Sequence, residues 1–252
     1  MKIRRPNQYF QIVAHRGLPK DYPENTLVAY KHALMLHIDM LEIDLHYTKD
    51  KEIVVIHDDT IDRTSNGKGK ISNYTLKELK KFDFGSYKGD QFINECIPTF
   101  DEVLELADNF SKKLLIEIKK PSQYRGIEEM VVDKLNERRM PQQKVIIQSF
   151  DFDCVKKLSS MDLNYELGLL LSKKKYWYRL PDFEEIAKVA NFANPNYQLV
   201  TKKFMKYAHN ANLKVLPYTV NKSKAVKKLI DYDVDGVISD IPEDIFLSLI
   251  HI

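Results

Sequence analysis

The stretch MLEIDLHYTKDKEIVVIHDD, residues 40 to 59, places Glu42, Asp44 and His57 inside runs that are otherwise apolar enough to be buried strands. Side chains of a strand alternate faces, so Leu41, Ile43 and Leu45 share one face while Glu42 and Asp44 share the other, roughly 6 to 7 Å apart along the chain. A hard cation with ligands at about 2.0 to 2.6 Å can bridge that span when both side chains lean inward. In LLIEIKK, residues 114 to 120, Glu117 and Lys119 share a face by the same rule. A salt-bridge network or polar barrel interior would account for a single buried carboxylate. Three carboxylates on two strands repel one another unless a cation neutralises them, and an all-oxygen set favours Mg²⁺, Ca²⁺ or Mn²⁺ over zinc.

Two histidines complete the set. His15 and His57 each close an apolar run and are followed by Arg16 and Asp58. A lone histidine in such a place is commonly structural, but a pair near a metal offers two groups of pKa about 6.5 that can serve as base and acid at neutral pH. Arg16 can clamp a phosphoryl oxygen, and Lys119 can add a point charge to the same anion. One divalent cation, two imidazoles and two fixed cations suit phosphoryl transfer. The metal would offset charge on the non-bridging oxygens, one histidine would activate the attacking oxygen, and the other would protonate the leaving alkoxide. His46 shares the face of Asp44 and is the remaining candidate. His32, His37 and His209 fall on expected helices and His251 at the tail, where all four read as structural or surface residues. No Walker loop, GxGxxG or GxSxG occurs, so nucleotide-hydrolase and serine-hydrolase chemistry lack their usual signals.

Such residues need rigid strands that bring their ends together. The runs QIVAH, MLEIDL, LLIEIK, KVIIQSF, YELGLLL, ANFA, LKVLPYTV and DGVISD are mostly separated by amphipathic stretches of helical length, such as ENTLVAYKHALMLH and TFDEVLELADNF. Alternation of this kind predicts an α/β fold, a parallel (β/α)8 TIM barrel; a doubly wound open sheet would give the same pattern. In a barrel the active site lies at the C-terminal strand ends, where His15 and His57 fall. From Ile53 to Pro98 the rhythm breaks into a further strand-like run, EIVVIHD, and a turn-rich tract with Gly67, Gly69, Gly85, Gly89 and the short helix TLKELKKFD. The expectation is a single catalytic barrel over 1–252, with a small inserted subdomain at about 59–98 after the second strand region, over the barrel mouth.

Bulk properties narrow the class. Of 252 residues, 44% are hydrophobic and 30% charged, an ordinary globular composition. The 39 basic and 36 acidic residues give a net charge of +3, too balanced for a nucleic-acid footprint. No run of about 18 apolar residues is present, so stable membrane insertion is not expected, and the basic start leads straight into a strand without a signal-peptide core. Cys96 and Cys154 form no CxxC pair, which suits a reducing cytoplasm. The run KKKYWYR reads either as a solvated face or as a basic patch suited to an anionic or lipid-like ligand.

In their order along the chain these motifs resemble the glycerophosphodiester phosphodiesterase family. VAHRGLPKDYPENTLVAY looks like the family's HRG and PENT opening, and LEIDLHYTKDKEIVVIHDDTIDRTSNGKG looks like its ExD, HD and DRT-NG-G series. IPTFDEVLELA, LLIEIKK, YTVN and DGVISDIPE continue the likeness over nearly the whole chain. The resemblance implies a TIM barrel with a small insertion. It also implies hydrolysis of a small-molecule glycerophosphodiester to an alcohol and glycerol 3-phosphate, with one divalent cation, Mg²⁺ or Ca²⁺, Mn²⁺ being a further option. Position by position, it implies that His15 and His57 are the acid/base pair, Glu42, Asp44 and Glu117 the metal ligands, and Arg16 and Lys119 the phosphate-contacting cations. Tyr218 stands where the family often has Trp. The tract from about Leu171 to Gln198, with Tyr176, Trp177 and Tyr178, matches least well and reads either as a specificity region or as aromatic core. Two alternatives to the hydrolase are a phospholipase D-like lyase that releases a cyclic phosphate and a non-catalytic barrel that binds glycerophosphodiesters.

Overall fold

The computed structural model describes residues 10–161 and 163–250; His251 lies outside them. Among the described residues there are eight strands: β1 (Gln11–His15), β2 (Met40–Tyr47), β3 (Ile53–Val55), β4 (Lys113–Ile118), β5 (Val145–Ser149), β6 (Glu166–Leu171), β7 (Phe192–Pro195) and β8 (Gly236–Ser239). Between and after them run α1 (Leu27–Met35), α2 (Leu76–Leu79), α3 (Phe100–Asp108), α4 (Ile127–Glu137), α5 (Phe152–Ser159), α6 (Lys173–Tyr176), α7 (Phe183–Ala187), α8 (Lys202–Asn210), α9 (Ser223–Ile230) and α10 (Pro242–Ile250). Polar caps set several helix starts. Thr26, Asp151, Asp182 and Thr201 each accept a backbone N–H in the first turn, and Thr99 with Glu102 closes a reciprocal capping box on α3. A cap of this kind stabilises a helix by about 1 kcal/mol.

Seven strands form a parallel sheet in the order β7-β6-β5-β4-β2-β1-β8, and β3 pairs antiparallel with β2. The eighth stave of the barrel is the run LKVLPYTV, which is less regular than its composition predicts. On one side it exchanges backbone hydrogen bonds with β7 and the residues flanking it, at Lys214 and Tyr218, and on the other with β8 and Asp235, at Val215, Pro217 and Val220. It thereby joins the sheet's two ends into a TIM barrel. The interruption comes from Pro217 within the run, since proline removes a ladder donor.

Alternation along the strands sorts the two layers. Leu41, Ile43 and Leu45 face outward into the large cluster under the helices. Val13, Met40, Leu115, Ile146, Phe192, Leu216 and Ile238 form a separate apolar plug inside the barrel. Two residues beyond Met40 and Leu115, on the same faces, come Glu42 and Glu117, so the plug is the floor of the ionic layer.

From β3 onward the chain leaves the barrel and comes back at the same point. Val54 bridges Thr99, and the Val55 N–H donates to Pro98, so both ends of the tract share one stem. Ile56, Ile61, Ile71, Leu79, Phe84 and Ile97 pack with Val54 into a small core of their own. Among the described residues no helix is long and apolar enough to cross a membrane.

Candidate active site

The PENT segment explains itself residue by residue. Arg16, in the left-handed region at φ 54°, and Gly17 at φ 86° turn the chain sharply off β1, and a Cβ on Gly17 would lie 2.8 Å from that of Ala29. Pro23 O accepts from the Thr26 hydroxyl, while Thr26 also caps α1. Asn25 Nδ2 donates to Asp44 Oδ2 at 3.0 Å, and Asn25 Oδ1 accepts from the buried Tyr30 hydroxyl at 2.6 Å. Glu24 accepts from Arg16 Nη1 at 3.0 Å and from both Nη1 and Nη2 of Arg63.

Register brings the carboxylates together. His15 pairs with Glu42 across β1 and β2, and Asp44 pairs with Glu117 across β2 and β4. All three carboxylates are buried, and one ligand oxygen from each lies within 4.8 Å of the others. Arg16 Nε lies 3.2 Å from Asp44 Oδ2, and Lys119 Nζ lies 2.6 Å from Glu117 Oε1 and 3.5 Å from Asp44 Oδ1. These contacts are ion pairs without well-aligned hydrogen bonds: Arg16 Nε, Asp44 Oδ1 and Glu117 Oε1 are buried and lack a hydrogen-bond partner. Burial pushes Glu42 well above the usual carboxylate range, and repulsion from Asp44 and Glu117 pushes it further. Glu117 is also raised, by burial first. Burial acts against ionisation of Asp44 too, but Lys119 and Arg16 outweigh it and hold that carboxyl low. Three carboxylates therefore face two fixed cations, with carboxylate oxygens left over, and the oxygen-only donor set fits a divalent cation.

Both predicted histidines line one cavity of about 160 Å³, together with Arg16, Glu42, Glu117 and Lys119. His15 Nδ1 is 2.6 Å from Asp240 Oδ1, and His57 Nδ1 is 2.7 Å from Asp58 Oδ1. Each ring thus has one nitrogen held by a carboxylate, which leaves Nε2 for proton transfer. Burial lowers the pKa of His57, and Lys119 and Arg16 lower it further against the opposing pull of Asp44 and Asp58. Sharing His57, Glu117, Lys119 and Phe150 with this cavity is a wider groove of about 740 Å³, whose wall also includes Asp58, Asp59, Lys120 and Asp151.

All seven residues singled out from the sequence, His15, Arg16, Glu42, Asp44, His57, Glu117 and Lys119, thus occur in one constellation. His46, the further candidate, is buried with both nitrogens engaged: Nδ1 at 2.9 Å from the Tyr124 hydroxyl and Nε2 at 3.1 Å from the His57 carbonyl. Burial pushes it down to about 4, and it supports the backbone of its neighbour. His32 stacks on Tyr22, and His209 pairs with Asp235 at 3.2 Å. His37 lies beyond the end of α1 rather than within a helix, and stacks on Phe246.

The supporting residues were not singled out from the sequence. Asp240 lies in DGVISDIPE, and its second oxygen accepts from Asn221 of YTVN at 2.5 Å. Arg63 lies in DRTSNGKG and joins Glu24 to Asp58. The signal was their place in the motifs that carried the resemblance, but chemistry alone gave them no partner. Of the three neighbouring aromatics in the tract from about Leu171 to Gln198, Tyr176 packs against the core while Trp177 and Tyr178 are exposed; further along, Phe183 and Phe192 are buried.

Two carboxylate-held histidines, an acidic triad and the half-buried cations Arg16 and Lys119 meet at the C-terminal mouth of a closed parallel barrel, an arrangement suited to cleaving a phosphodiester. The glycerophosphoryl diester phosphodiesterase family model matches residues 15–244, and the chain belongs to that family. It is 36% identical over 235 residues to the glycerophosphodiester phosphodiesterase of Caldanaerobacter subterraneus subsp. tengcongensis, covering 92% of this chain and 94% of that one. Against the glycerophosphodiester phosphodiesterase of Bacillus subtilis the identity is 34% over 249 residues, covering 92% and 83%. An Oleispira antarctica phosphodiesterase solved in complex with the product sn-glycerol-3-phosphate superposes with a TM-score of 0.86, at 27% identity and covering 95% and 96%.

Proposed function

We propose that the protein hydrolyses glycerophosphodiesters to an alcohol and glycerol 3-phosphate, with His15 and His57 as the acid/base pair. The observation that carries this reading is the placement of two histidines, each fixed through Nδ1 by a carboxylate, around a cavity also lined by Arg16, Lys119, Glu42 and Glu117, with Asp44 beside those two carboxylates. Arg16 and Lys119 bind the phosphoryl oxygens, and Glu42, Asp44 and Glu117 would hold one divalent cation, Mg²⁺ or Ca²⁺, with Mn²⁺ also in the compatible set. When bound, that cation supplies positive charge for the non-bridging oxygens of the diester. One imidazole takes the proton of the attacking oxygen and the other returns a proton to the leaving alkoxide; Asp240 and Asp58 keep the rings in the tautomer that this exchange needs. The tract at about 59–98 is an insertion that builds one wall of the site, a reading supported by its shared stem and by the reach of Arg63 to Glu24. We place the enzyme in the cytoplasm, in keeping with the free thiols of exposed Cys96 and buried Cys154.

The test is turnover of glycerophosphocholine with Mg²⁺ or Ca²⁺, with and without a chelator, for the wild type and for His15→Ala and His57→Ala. Turnover that the chelator abolishes and that each variant lowers by at least about 100-fold supports the reading. Wild-type turnover that is indifferent to the chelator and to both substitutions would remove it.

A further inference from the structure

The segment from Lys173 to Leu180, KKKYWYRL, stands apart from the rest of the surface. It carries four basic residues, Lys173, Lys174, Lys175 and Arg179, and no acidic one, although the whole chain has a net charge of only +3. It also leaves Trp177 at 70%, Tyr178 at 63% and Leu180 at 36% exposure, so three large apolar side chains meet solvent within four positions. Trp177 and Tyr178 pack edge to face at 5.5 Å, and Arg179 lies 5.6 Å over the Tyr178 ring. Contiguous exposed apolar area rimmed by charge is the mark of an interaction surface rather than of a solvated face.

Its place in the fold matters as much. The segment follows β6 directly, on the C-terminal rim where the catalytic cavity opens. Leu171, two residues before it, accepts through its carbonyl from the Tyr218 hydroxyl, and Tyr218 with Leu170 lines that cavity. The patch and the cavity therefore share one rim.

We propose that this segment docks the enzyme reversibly on an anionic membrane surface, with the catalytic mouth toward the lipid headgroups. Tryptophan and tyrosine partition to the headgroup region because their rings are amphipathic, and lysine or arginine near an anionic leaflet each add favourable energy. The other occupants fit less well. In a two-fold dimer the same patch faces itself, setting four positive charges against four, and three side chains fall far short of the area a stable dimer buries. Single-stranded RNA needs a basic groove that tracks its backbone over several nucleotides, whereas the groove that Lys175 and Arg179 line also carries Asp182 and Glu185.

The chain has a single tryptophan, Trp177, so its fluorescence reports on this patch alone. The experiment titrates the protein with phosphatidylcholine vesicles, with and without phosphatidylglycerol, and follows Trp177 emission alongside vesicle co-sedimentation. The expected result is a blue shift with the anionic vesicles only, reversed by high salt. The triple variant Lys174→Gln, Lys175→Gln, Arg179→Gln is expected to partition on the order of a hundredfold more weakly, about fivefold per charge removed. Its turnover of dissolved glycerophosphocholine is expected to stay at the wild-type level, which checks that it is folded. Absence of a shift on the anionic vesicles overturns the proposal. So does a shift that appears without lipid as the protein is concentrated, which assigns the patch to a second copy, or binding of poly(U) RNA in place of vesicles.

Discussion

Arg63 grips Glu24 with both ends of its guanidinium, Nη1 at 2.6 Å and Nη2 at 2.8 Å from the two carboxylate oxygens, while its Nε holds Asp58 at 2.8 Å. Glu24 in turn binds Arg16, and Asp58 binds His57. One residue of the loop-rich tract after β3 thus ties a phosphate-binding candidate to an acid/base candidate. We expect Arg63→Ala to lower kcat by about 10- to 100-fold, in the range usual for a residue that orients a catalytic group. Arg63→Lys should recover little, because an ammonium cannot make the planar two-pronged contact. Steady-state kinetics of the two variants check this; wild-type kcat in both would dissolve the link.

The acidic triad predicts a conflict between stability and activity. Ionised Glu42 is buried beside two more carboxylates, and its raised pKa means that the folded state disfavours the charge at neutral pH. Glu42→Gln should therefore raise the melting temperature of the metal-free protein while abolishing turnover. A rise of a few degrees is expected, since about 1 kcal/mol moves the midpoint of a domain this size by about 2 to 4 °C. The wild type should gain more than the variant from added Mg²⁺ or Ca²⁺, about 2.7 kcal/mol at a hundred times the dissociation constant. Thermal melts of both proteins in a chelator and in saturating metal are the measurement.

His57 carries a depressed pKa, with burial as the largest cause and Lys119 and Arg16 next. The unfolded chain then binds the proton more readily than the folded one below the ordinary value of about 6.5, so the contribution of His57 to stability falls as the pH drops through that point. Followed by NMR, the His57 imidazole should titrate below 6.5, and a divalent cation in the triad should move the midpoint lower still. A midpoint above 6.5 in the metal-free protein would mean that Asp44 and Asp58 dominate the field at this ring.

Much of this was legible in the sequence because strand parity is a strict rule. Glu42 and Asp44 could be set on one face of their strand, and Glu117 and Lys119 on one face of theirs, from alternation alone, and the sequence indicated all eight barrel staves, LKVLPYTV included, although Pro217 breaks its ladder. What could not be read were relations between residues distant in sequence and lacking a common period. Asp240 meets His15 only because β8 closes on β1, and Arg63 meets Glu24 only because the tract after β3 folds back toward the PENT segment. Whether Trp177 and Tyr178 face solvent or core was left open for a related reason: Tyr30 and Tyr124 are buried, and composition does not separate the two outcomes.

Phosphorus NMR of a glycerophosphocholine reaction tests the central claim most directly, because it identifies the product as well as the rate. With wild-type enzyme and Mg²⁺ or Ca²⁺ the diester resonance should give way to glycerol 3-phosphate as the final phosphorus species, with free choline released in equal amount. Accumulation of a cyclic phosphate as the end product, or an unchanged diester signal across a panel of head groups, would contradict the account.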